Sequence, residues 1–218
     1  MYAGHNIVVV ARNFNPTIFS QLWLVNQAIF SEKELAENYI FTPIAVNLNT
    51  PDFAFLAVPD KIQLSFPSDK VDFKALSNRI FGGIIKKLPH TPYQAIGFNL
   101  SWILFPQNPD KFVEISRKIF VSPSNPIARH FTSTGSRFGT YLSKDVPMGR
   151  LRLDIKPVSA TPPPSGEQKE GLHLTFNFTL DLKEGGKDLQ ILRFFDQWDA
   201  AHAIASEMTT EMGLGWSN

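Results

Sequence analysis

Apolar positions along this chain alternate between a period of two and a period near 3.6, and the switches between them mark out the elements. Ile7-Val8-Val9-Val10-Ala11 is an unbroken, β-branched run that predicts a central strand buried on both faces. Asn15-Pro16 follows, offering an N-cap oxygen and a ring preset for a first helical turn. Ile18, Leu22, Val25 and Ile29 then recur at helical spacing and predict one helix. Ser31 and Glu34 have the spacing of a capping box, so another short helical turn is expected before the chain extends.

Three extended runs come next, Ile44 to Leu48, Phe53 to Val58 and Ile62 to Phe66, divided by Pro51-Asp52 and Pro59-Asp60. They predict a meander with one face on a core, because Lys61, Gln63 and Ser65 alternate with its last apolar set. Phe73, Leu76, Ile80, Ile84 and Leu88 predict a second helix, started by Asp69 or Asp72 and closed by Lys86 and Lys87. After Pro89-His90-Thr91-Pro92, alternation over residues 93–105 predicts a long strand, and Asn108-Pro109 repeats the helix-starting device.

Strand character is expected from Ile127 to Leu142, with Thr132 to Arg137 as a turn or edge. Two strictly alternating strands follow, around Leu151 to Ile155 and Leu172 to Leu182. The polar, proline-rich residues 159–171 between them predict a flexible surface loop. A last helix, capped by Asp188 and ending at Gly213, carries Ile191, Phe195, Trp198, Ala205 and Met208 on one stripe. The order strand, helix, three strands, helix thus occurs twice, over about 5–90 and 92–213. The expectation is a single α+β domain of two successive β-α-β-β-β-α units, with antiparallel sheet and helices packed on one face.

Composition narrows the functional classes. At 218 residues the chain buries roughly 70 % of its unfolded surface without help from a metal or disulfide. Its 19 Phe and 4 Trp predict an aromatic interior or subunit contact. The absence of cysteine excludes disulfides, thiolate catalysis and cysteine-ligated metals. A formal net charge of +1 disfavours electrostatic binding to nucleic acid. No stretch reads as a secretion signal or a membrane span, so a cytoplasmic protein is expected.

Asn13-Phe14-Asn15-Pro16-Thr17-Ile18-Phe19, Leu88-Pro89-His90-Thr91-Pro92 and Ala95-Ile96-Gly97-Phe98-Asn99 resemble segments of a family of sporadically distributed bacterial proteins of unknown function. The likeness runs over most of the chain, including Gly149-Arg150-Leu151-Arg152 and the helix holding Trp198. It implies a similar α+β fold and no activity. The family often continues Gly-x-Asn into a polar strand, whereas Ser101 to Phe105 is apolar here.

Four groups of residues carry candidate chemistry. His90 and Thr91 stand at a helix-to-strand junction where an imidazole and a hydroxyl can meet a ligand, although helix termination accounts for them more simply. Asn99 faces opposite the large apolar residues of its strand. Arg150, Arg152, Asp154, Lys156, His173, Thr175, Asn177, Thr179 and Asp181 share the polar side of two strands, a layout for an anion or a partner and also for ordinary solubility. Asp199 and His202 lie one helical turn apart, without a nucleophile beside them. Thr132-Ser133-Thr134-Gly135-Ser136 lacks the spacing and lysine of a phosphate loop, and no metalloprotease, nucleophile-elbow or dinucleotide motif occurs. The expected function is therefore a non-catalytic protein-binding or self-associating module without a cofactor or metal. The alternative is an enzyme or small-anion-binding protein using the face around Arg150, Arg152 and His173.

Overall fold

In the computed structural model, which describes all residues except 37, 163, 165, 217 and 218 and the side chain of residue 214, nine strands form one antiparallel sheet. The strands are β1 (Tyr2–Ala11), β2 (Tyr39–Phe41), β3 (Val46–Asn49), β4 (Ala54–Val58), β5 (Lys61–Phe66), β6 (Tyr93–Leu104), β7 (Thr140–Val146), β8 (Gly149–Ala160) and β9 (Lys169–Asp181). Their order across the sheet is β2-β3-β4-β5-β1-β6-β9-β8-β7. The chain therefore has the mixed α+β class expected of it. The long strands β1 and β6 lie side by side at the centre, in register at Ile7 with Phe98.

Among the described residues six α-helices accompany the sheet: α1 (Gln21–Asn26), α2 (Glu32–Leu35), α3 (Phe73–Lys87), α4 (Phe112–Phe120), α5 (Lys187–Phe195) and α6 (Trp198–Trp216). They pack on the face that carries Ile7, Val9, Leu64, Phe98, Leu100, Phe176 and Phe178, all buried. Ring contacts tie the two layers: Phe98 lies 4.4 Å from Phe194 and 5.1 Å edge-on to Trp198, and Phe19 lies 5.9 Å from Phe55. Burying such aromatic area is the main source of stability in a chain without cross-links.

Among the described residues, no helix packs on the opposite face. Val8 and Val10 stand on it half-buried, so β1 is not covered on both sides as its unbroken apolar run predicts. Valine fits a pleated surface whether or not a second layer covers it, and a β-branched run does not separate the two cases.

Helix starts follow the sequence closely, and helix lengths do not. The Asp72 side chain accepts from the Ala75 amide to open α3, and Ser31 and Glu34 form a reciprocal capping box on α2. The helix expected from Asn15 is instead a 3-10 turn, Pro16–Ile18, followed by α1. Ser20, four residues inside the expected helix, accepts from the Trp23 amide and restarts the chain, leaving Leu22 72 % exposed. Ala28 then ends this segment at φ 54°, in the left-handed region.

Further corrections concern both halves. Residues 127–139 are not a strand. Asn125-Pro126 starts a turn, and the Arg117 guanidinium donates to the carbonyls of Phe131 and Ala128, satisfying them without a sheet. The last helix is two, α5 and α6, separated at Asp196-Gln197 by tight i→i−3 bonds. Gly186, at φ 64°, precedes α5 in place of a side-chain cap from Asp188. The helix also runs past Gly213, because Trp216 is buried edge-on to Phe112 at 5.5 Å. A short strand, β2, completes a four-stranded meander where three were expected. The connection between β8 and β9 spans 161–168, of which Pro163 and Ser165 lie outside the described residues.

Candidate functional site

Antiparallel pairing sets five polar side chains in one line across the uncovered face. Ser65 opposes Asn6, Asn6 opposes Asn99, Asn99 opposes Asn177, and Asn177 opposes Arg152. Each belongs to a different strand, and each occupies the phase opposite the core residues of that strand. The spacing of directly opposed residues in a sheet puts neighbouring amides within hydrogen-bond reach.

The bonds run in one direction. Arg152 Nη1 donates to Asn177 Oδ1 at 3.1 Å and to Thr179 Oγ1 at 3.3 Å. Asn177 Nδ2 donates to Asn99 Oδ1 at 2.7 Å, and Asn99 Nδ2 donates to Asn6 Oδ1 at 2.7 Å. Arginine has no acceptor, so Asn177 must turn its oxygen toward β8 and its amino group toward β6, and the same choice passes to Asn99 and Asn6. One cation thereby orients three amides. Gly97 keeps the adjoining surface low: a Cβ there would stand 3.0 Å from the Phe178 carbonyl and 3.6 Å from Asn177 Nδ2.

The charges around this row are not equally free. Arg150 pairs with Asp145 at 2.8 Å, and Lys156 pairs with Asp154 at 2.5 Å. Arg152 is half-buried and has no carboxylate partner among the described residues. A guanidinium held against neutral acceptors keeps its remaining N–H groups and its full charge for an incoming anion.

The residues named from the sequence divide accordingly. Asn99 and Arg152 join one hydrogen-bonded row. Arg150 lies beside it, opposite Thr179, and His173 stands further along β9, opposite Lys156. The His173 imidazole is held below its ordinary pKa by burial, with Lys156 adding to the effect and Asp154 opposing it. His90 and Thr91 are elsewhere. They lie in the turn before β6, where the Thr91 amide donates to Leu88 O and Thr91 lines a separate cavity with Arg12, Gln94 and Lys187. His90 is exposed and takes no part in the row.

Asn6 was missed by sequence reasoning. Its signal was available, since it stands between His5 and Ile7 in the outward phase of β1, as Asn99 does between Phe98 and Leu100 of β6. That the two strands are neighbours was not legible locally. The dyad suggested by Asp199 and His202 does not form: His202 Nδ1 lies 3.4 Å from Ser206 Oγ. Arg137 is engaged with Glu170 at 2.6 Å, away from any phosphate cradle.

Among the described residues, no group of three or more histidine, aspartate or glutamate side chains is placed to hold a metal ion. No described helix is long and apolar enough to cross a membrane. Compared with protein-family models, curated proteins and solved structures, the chain matches none of them.

Proposed function

We propose that the protein is a non-catalytic binding module that receives an extended, acidic segment of a protein partner on the uncovered sheet face, with a carboxylate of that segment seated on Arg152. The observation that carries this reading is the unpaired charge of Arg152 at the end of a row of oriented amides. Extended peptides present alternating donors and acceptors, which asparagine side chains match from either group. The near-zero net charge of the chain fits recognition by one local cation better than by a broad field.

Fluorescence anisotropy with a labelled Glu-Ser repeat decapeptide tests the proposal against a Lys-Ser repeat of equal length. The acidic probe should bind, and Arg152→Gln should weaken it by about tenfold, the scale of one charge-assisted contact. Equal affinity for both probes, or no effect of Arg152→Gln, would overturn it.

A second reading, self-association, is favoured by the edge strand β7. Among the described residues it pairs only with β8, and it presents Tyr141 and Leu142 on opposite faces, 59 % and 56 % exposed. Antiparallel pairing with a second copy, centred on Ser143, sets Leu142 opposite Lys144 and Tyr141 opposite Asp145, so that no like charges meet. Sedimentation of the wild type and Leu142→Lys is the test: a dimer lost in the variant supports it, and a strict monomer removes it.

We also read the two halves as related units, and the bacterial family as their relatives. Support comes from the placing of β5 beside β1 and of β9 beside β6, and from Asn15-Pro16 and Asn108-Pro109 each opening a 3-10 turn.

A further inference from the structure

On the helix-covered side of β1 a histidine is buried in a ring of aromatic groups. His5 is 2 % exposed, and Tyr2, Trp102, His202, Trp198 and Phe73 lie around it at ring distances of 4.4, 4.7, 5.7, 6.0 and 6.4 Å. Gly4, at φ 115°, lies at the bulge just before this residue; the conformation is open to glycine and rare for other residues. His5 Nδ1 lies 2.9 Å from Gly4 O and 3.3 Å from the Ser101 amide. Nδ1 thus faces the backbone, donating to Gly4 O in one tautomer and accepting from the Ser101 amide in the other. Nε2 has no partner.

His5 also lines a cleft of about 360 Å³, together with Asp69, Val71, Phe73, Trp198, Asp199, His202 and Ala203. Asp69 and Asp199 stand on its exposed rim, and neither forms an ion pair among the described residues. The cleft therefore combines two uncompensated carboxylates, an apolar aromatic wall and a buried imidazole with an unused nitrogen. Burial holds His5 far below its ordinary pKa, at about 4, so the ring is neutral at pH 7, and in the tautomer that gives Nδ1–H to Gly4 O its Nε2 is an acceptor. The rim of the cleft is negative, which repels an anion and favours a ligand that donates.

We propose that this cleft binds a primary ammonium group carried on a short apolar stem, with the cation held between Asp69 and Asp199 and the stem along Phe73 and Trp198, beside the His5 ring. The volume admits a stem of a few carbons. Aromatic walls add to the attraction for a cation once water is excluded. The same chemistry comes from a free alkylamine or from a lysine side chain of another protein.

The test uses n-butylammonium, with n-butanol as the neutral isostere and Nα-acetyl-lysine methylamide as the lysine source, titrated while the imidazole signals of His5 and His202 are followed by NMR. Butylammonium should shift both histidines saturably and butanol should not. Asp199→Asn, an exposed substitution that leaves the core intact, should weaken the effect by about tenfold. Tighter binding of the lysine derivative identifies a protein side chain as the natural ligand, and weaker binding identifies a free amine. Equal responses to butylammonium and butanol, or an unchanged response in both Asp199→Asn and Asp69→Asn, would overturn the site.

Discussion

Asn99 of β6 donates to Asn6 of β1 across 2.7 Å at the midline of the sheet, joining the two halves of the chain on the face that no helix covers. Most residues that hold the halves together are apolar and lie on the other face. A hydrogen-bonded pair at this position is oriented from a distance, through Asn177, by Arg152. The polar row thus has two separable properties, its continuity and its charge.

Arg152→Gln separates them. Glutamine can still donate to Asn177 Oδ1, so the amides keep their direction, and unfolding free energy should change by less than about 1 kcal/mol. Urea denaturation measures the stability, and the acidic-peptide titration measures the lost charge. Loss of several kcal/mol would show that Arg152 is needed for the fold rather than for a ligand.

The uncovered face and the helix-packed face should respond differently to truncation. Phe98→Ala removes a fully buried ring that touches Phe194 and Trp198 and should cost about 4 kcal/mol. Val8→Ala, on the adjacent strand but the open face, should cost about 1 kcal/mol or less. Similar losses by denaturant unfolding would mean that a second layer covers Val8.

Acid should destabilise the fold through His5. The ordinary histidine pKa is 6.5, and burial lowers that of His5 to about 4. The unfolded chain therefore takes up a proton that the folded one refuses. The stability tied to this group is complete above pH 6.5, declines as pH falls toward 4 and is flat below; the full change is about 3 kcal/mol. His173 is shifted in the same direction, so the measurement is a difference: the pH dependence of the urea midpoint in wild type against His5→Phe. Superimposable slopes between pH 7 and 4.5 would contradict the burial of a neutral imidazole.

Ala28 offers a test of local strain. Its φ of 54° ends α1 in a region that costs alanine about 1–2 kcal/mol and glycine little. After the extra flexibility glycine gives the unfolded chain, Ala28→Gly should stabilise the protein by about 0.5–1 kcal/mol. A lower thermal midpoint would show that the methyl group packs usefully.

The legible part of this fold was the part written in local periodicity. Alternation located β5, β6, β8 and β9 and assigned each residue to its face, and side-chain caps placed the starts of α2 and α3. What escaped was decided by competition or by distance. Ser20 overrode a helical stripe that ran through it, and Arg117 supplied hydrogen bonds to a segment whose composition resembles a strand. For the site, Asn99 and Arg152 were visible singly as outward polar residues, but their union depends on the β1-β6-β9-β8 neighbour order. His5 carried a signal that was passed over: it precedes Ile7, Val9 and Ala11 at a period of two, which puts an ionisable ring on the core face.

The side-chain amide signals of Asn6, Asn99 and Asn177 report directly on the open face. On titration with the Glu-Ser peptide, all three Nδ2 proton pairs should shift together with one dissociation constant, and the Arg152 guanidinium protons should shift with them. Shifts confined to exposed lysines elsewhere, with the three asparagines unmoved at saturation, would contradict the account.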